Sequence, residues 1–92
     1  MLLDDTFDIP VHVVARQVEE DLVLLDLESG IYFALDPVGA RIWALVADGA
    51  SLAATRDTML EEFNVETEQL EQDIRALISE LEQRKLIEAR KS

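Results

Sequence analysis

The sequence predicts a small α+β domain, a three-stranded antiparallel sheet followed by three helices. Two apolar runs, residues 22–27 and 31–35, are separated only by Glu28, Ser29 and Gly30. Asp36 and Pro37 close the second run, and beyond them the apolar spacing changes from that of strands to that of helices. With 92 residues there is room for one core, so one domain over residues 1–92 is expected, ordered over about residues 10–88.

Residues 11–18 alternate imperfectly, with Val11, Val13 and Ala15 on one side and His12, Val14 and Arg16 on the other, which predicts the first strand. Residues 22–27 are almost wholly apolar, as suits a central strand with both faces partly covered. Gly30 permits a tight turn, so residues 31–35 return antiparallel. Asp36 can accept hydrogen bonds from free N–H groups at a helix start, and Pro37 fits the first helical position. Val38, Ile42, Leu45 and Val46 then recur at helical spacing until Asp48 and Gly49. Ser51 caps a second helix carrying Leu52, Thr55, Met59, Leu60 and Phe63 on one face, with Asn64 as terminator. The third helix, residues 66–84, has the strongest stripe: Leu70, Ile74, Leu77, Ile78 and Leu81. Glu71 with Arg75 and Glu80 with Arg84 are spaced for ion pairs along it. Leu86 and Ile87 should fold back onto the core, leaving residues 88–92 as a solvated tail.

Composition narrows the function. Twenty acidic residues against eight basic ones give a net charge of -12, which disfavours nucleic acid and anionic membrane surfaces, both of which are bound through Lys and Arg. No apolar run approaches the roughly 20 residues of a spanning helix. With no Cys, thiolate metal sites and Cys nucleophiles are absent. No phosphate-binding or dinucleotide loop and no EF-hand spacing occurs, so no cofactor and no metal are expected. His12 is the single histidine and reads as an ordinary strand side chain, so no catalytic residues are assigned and the chain is not read as an enzyme. The first fifteen residues contain no Lys or Arg, unlike a secretory signal, and the expected location is the cytoplasm.

Three helices with a strand hairpin make a winged-helix-like arrangement, in which DNA readers use the third helix. Here that helix carries six acids against two arginines. The more informative feature is the strand Ile31, Tyr32, Phe33, Ala34 and Leu35, which lies at a sheet margin and contains neither charge nor proline. Either the third helix covers this edge or an extended peptide can add to it as a further strand. For such a peptide, Ile74 and Ile78 are assigned as apolar groove walls, with Arg75 orienting it, and Leu70, Leu77 and Leu81 are assigned to the core. The alternative is that Ile78 belongs to the core as well. The acidic charge favours a peptide with Lys or Arg.

The run LLDLESGIYFALDPVGARIWAL resembles the PqqD family in Leu25, Asp26, Gly30, Tyr32, Leu35, Asp36, Pro37, Gly39, Ala40, Ile42 and Trp43. The resemblance continues through EEFNVETEQLEQDIRALISELEQRKLI, although Lys85 stands where many members have Gly. It implies a peptide-recognition domain, not an enzyme, that binds the leader of a ribosomally made precursor peptide beside the third strand and against the third helix. Its implied partners are that leader and a modifying enzyme, namely a radical enzyme, cyclase or peptidase, in pathways such as pyrroloquinoline quinone or lasso-peptide formation. A transcriptional regulator on the same scaffold, or a structural subunit burying the edge in a homodimer, is the alternative.

Overall fold

A computed structural model of the protein describes residues 3–90. The elements are β1 (Phe7–Asp8), β2 (Val13–Val18), β3 (Asp21–Asp26), β4 (Tyr32–Leu35), α1 (Pro37–Ala47), α2 (Leu52–Glu62), α3 (Thr67–Gln83) and β5 (Glu88–Ala89). The expected antiparallel sheet is present in the order β2-β3-β4, and the three helices follow it.

Local chemistry sets the helix boundaries. The Asp36 carboxylate accepts the Gly39 N–H at 2.8 Å, and the Ser51 hydroxyl accepts that of Ala54 at 3.1 Å, so both expected N-caps form. At the end of α1, Gly49 (φ 98) allows Ala50 N–H to reach back to Leu45 O and its own N–H to Val46 O. The same reversal ends α3, where Leu86 N–H donates to Leu81 O and Lys85 N–H to Glu82 O. Here the left-handed residue is Lys85 (φ 60), a position that glycine adopts without steric cost.

The sheet packs its Leu24 and Leu35 face against the helices, where Ile42, Trp43, Val46, Met59 and the α3 stripe complete the core. Leu86 and Ile87 are buried as expected. Burial of such side chains contributes about 1.5–3 kcal/mol each. On the other sheet face Val23 and Leu25 are half-buried and Tyr32 and Ala34 exposed.

The ends of the chain depart from expectation. Residues 88 and 89 are not a solvated tail: Phe7 pairs with Ala89 and Asp8 with Glu88 in a second, two-stranded sheet. Phe7 is buried, so the core starts before residue 10, and Arg90 closes the pair by donating to Asp8 at 2.6 and 2.9 Å. Lys91 and Ser92, the rest of the expected tail, lie outside the described residues. One ion pair also differs. Glu71 accepts from Arg56 of α2 at 2.8 Å, tying α2 to α3, whereas Glu80 and Arg84 pair as expected at 3.1 Å.

Candidate functional site

β4 lies at the margin of its sheet, and its backbone alternation can be read from one bond. Asp26 N–H donates to Ile31 O, and the register then pairs Leu25 with Tyr32, Leu24 with Phe33, Val23 with Ala34 and Leu22 with Leu35. In an antiparallel ladder alternate pairs exchange hydrogen bonds. Phe33 and Leu35 therefore turn their N–H and C=O toward β3, while Tyr32 and Ala34 turn theirs outward. The two outward-facing residues, Tyr32 and Ala34, are exposed, Tyr32 by 70%, and an open groove lies between β4 and α3.

Beside this edge runs a groove of about 410 Å³, floored by Phe33, Leu35 and Ile42 and walled by Val38 and Gly39 of α1 and by Asp73 and Leu77 of α3. Gly39 lets α1 approach closely: a Cβ there would lie 3.2 Å from the Asp36 carboxylate and 3.3 Å from Leu35, tighter than ordinary contact. At the Phe33 end the Arg84 guanidinium lies over the phenyl ring, 4.9 Å from its centroid.

Of the expected strand residues, Tyr32, Phe33, Ala34 and Leu35 form β4 and Ile31 directly precedes it; Ile31, Tyr32 and Ala34 are exposed and Leu35 is buried at the groove floor, but the expected α3 contributors do not join them. Ile74 and Ile78 are 2% and 0% exposed, in the core, and Leu77, assigned to the core, is the half-buried residue that lines the groove. The stripe was divided at the wrong flank. At about 100° per residue, Asp73, Leu77 and Arg84 lie to one side of Leu70 and Ile78 to the other, and β4 packs on the first side. Arg75 is exposed roughly opposite Leu77 on that wheel, away from the groove. What sequence reasoning missed, Leu77, Asp73 and Arg84, carries a signal only once the side facing the sheet is known.

Other chemistry is sparse. His12 precedes β2 rather than lying within it, with Nδ1 3.3 Å from Glu28 and Nε2 3.8 Å from Asp26. Asp26 is structural: its Oδ1 accepts the N–H groups of Glu28 and Ser29 at 2.9 and 3.3 Å, shaping the turn that leads into β4. Burial pushes its carboxyl upward, but those bonds, the Ser29 hydroxyl and the nearby His12 outweigh it and hold the group below the ordinary carboxylate value. Among the described residues, no group of three or more His, Asp or Glu side chains could hold a metal ion, and no helix is long and apolar enough to cross a membrane.

The family model described as coenzyme PQQ synthesis protein D matches residues 21–87, a stretch that includes every residue lining the groove. The chain belongs to the PqqD family. Two solved structures resemble this PqqD-family chain along nearly its whole length. TbiB1 in complex with the TbiA(beta) leader peptide is 33% identical with a TM-score of 0.82, over 92% of this chain and 99% of the other. Lasso peptide synthetase B1 complexed with the leader peptide is 31% identical with a TM-score of 0.81, over 88% of this chain and 95% of the other. No curated protein matches this PqqD-family chain.

Proposed function

We propose that this protein binds the leader segment of a ribosomally made precursor peptide as an added strand along β4 and presents it to a modifying enzyme such as a radical enzyme, cyclase or peptidase. The observation that carries this reading is the outward-facing backbone of Tyr32 and Ala34 beside an apolar groove. Membership of the PqqD family supports it, as does likeness to two proteins that were solved with leader peptides.

Energetics give the two features separate parts. Four outward N–H and C=O groups, at about 0.5–1.5 kcal/mol each, offer about 2–6 kcal/mol, which is of the order of the cost of ordering a disordered segment. Backbone pairing therefore aligns the leader, and side chains packed in the groove supply the net affinity. The protein's part is binding rather than bond-making. The encounter belongs in the cytoplasm, where ribosomal precursors are made. The charge of -12, with a third helix at -4, favours peptide over DNA as the ligand.

The test is to titrate leader peptides of candidate precursors into the labelled protein and follow amide exchange. Binding should slow exchange at Tyr32 and Ala34 and give the leader strand-like protection. A leader that binds as a helix, or leaves those two amides exchanging freely, would refute strand addition.

A further inference from the structure

The groove is not electrically uniform. Its lining includes two carboxylates, Asp36 and Asp73, and no Lys or Arg. Neither carboxylate has an ion-pair partner among the described residues. Each uses Oδ1 within the chain, Asp36 for Gly39 N–H and Asp73 for the Gln69 side-chain amide at 2.9 Å, and one such bond leaves acceptor capacity on a carboxylate. Asp36 follows the last residue of β4, and Asp73 lies one turn before Leu77 on α3. Arg84 lies at the opposite end, over Phe33. The groove therefore has Arg84, itself paired with Glu80, over Phe33 at one end, and two carboxylates without an ion-pair partner among the described residues along its lining, Asp36 next to Leu35 and Asp73 one turn from Leu77.

An added strand places the side chains opposite Phe33 and Leu35 on the groove face, two residues apart. A Lys or Arg opposite Leu35 can lay its methylenes on Leu35, Val38 and Leu77 and carry its charge to Asp36 and Asp73. At the Phe33 position the same residue would meet Arg84, so an apolar side chain belongs there.

Resting on the strand-addition reading above, we infer that this charge polarity selects an extended peptide bearing an apolar residue and a Lys or Arg two positions apart, and so fixes its register on β4. Backbone pairing alone permits slippage by two residues, which keeps the same side chains on the groove face. Such a slip moves the cation from the two carboxylates to Arg84, so the polarity penalises it.

The experiment selects a displayed library of random 12-residue peptides on the purified full chain and on its Asp73→Lys variant, then measures affinity and amide exchange for enriched peptides. Asp73 is exposed and caps nothing, so its replacement leaves the fold in place. The expected result is enrichment of the apolar and Lys or Arg pair on the native chain, with slowed exchange at Tyr32 and Ala34. Asp73→Lys should weaken those peptides about fivefold, as expected for loss and reversal of a rim charge, and should enrich Asp or Glu in place of the cation. Peptides that protect both amides yet show no cation preference, and change affinity less than about twofold in the variant, would overturn this inference and leave strand addition standing. Failure to enrich any peptide, or enriched peptides that leave both amides unprotected, would overturn both.

Discussion

The guanidinium of Arg84 lies over the ring of Phe33, joining the C-terminal end of α3 to the edge strand at 4.9 Å. Glu80 accepts from the same guanidinium at 3.1 and 3.3 Å, which holds its plane in position. Arg84 also stands at the C-cap, where the helix dipole favours positive charge. Arg84→Ala should lower unfolding free energy by about 0.5–1 kcal/mol, the usual worth of an exposed cation–π pair, in a urea titration. An unchanged midpoint would show that the stacking adds nothing to stability.

Leu77 and Ile78 are adjacent in sequence and opposite in role. Ile78→Ala should cost about 2–5 kcal/mol of stability, because it empties a fully buried site, and leave affinity per folded molecule unchanged. Leu77→Ala should cost less stability and weaken leader binding by about 1 kcal/mol or more. Calorimetric titration alongside thermal unfolding separates the two; the reverse pattern would return the groove to the other flank of α3.

Proline distinguishes the inward from the outward backbone of β4. Ala34→Pro removes an N–H that faces away from β3, so the sheet should survive while leader affinity falls about tenfold, the upper end of one lost hydrogen bond. Phe33→Pro removes a ladder donor and should unfold the hairpin. Circular dichroism with binding isotherms checks both, and full leader binding by Ala34→Pro would argue against pairing at this edge.

Asp26 should make part of the stability acid-labile. Its folded-state carboxyl lies below the ordinary value of 3.8, so its contribution is present above that value and disappears as pH falls through the lower folded-state value. Asp26→Asn should weaken the protein near neutrality and flatten the acid limb of its stability curve. An identical acid limb in both proteins would remove the carboxylate from the turn's energetics.

Lys85 occupies a left-handed conformation that costs a residue with a side chain about 1–2 kcal/mol. Lys85→Gly should therefore raise unfolding free energy by about 1 kcal/mol, less whatever the unfolded chain gains in freedom. A lower denaturation midpoint would mean that Lys85 makes a contact worth more than its backbone strain.

What could be read from sequence was what neighbouring residues decide. Asp36 and Pro37, Ser51 and Gly49 announced helix boundaries because caps involve groups only a few positions apart, and Gly30 announced its turn for the same reason. The stripe on α3 was equally plain, but the side that meets the sheet depends on packing between distant segments. Ile78 and Leu77 were exchanged for that reason. β1 and β5 are two residues each, too short to show a period, and their partners lie at opposite ends of the sequence. The pairing of Glu71 with Arg56 was not legible because helix spacing says nothing about cations on another helix.

The pairing of Phe7 with Ala89 also has a kinetic consequence. It closes nearly the whole chain into one loop, whereas β2, β3 and β4 pair across short turns, and loop entropy makes the long closure the costlier step. On the ribosome the three-stranded sheet can assemble early, while Phe7 must wait for residues 88 and 89 to emerge. Because the β1–β5 pair is a sheet of its own, opening it would uncover Phe7 without breaking a hydrogen bond of the sheet that carries the peptide edge.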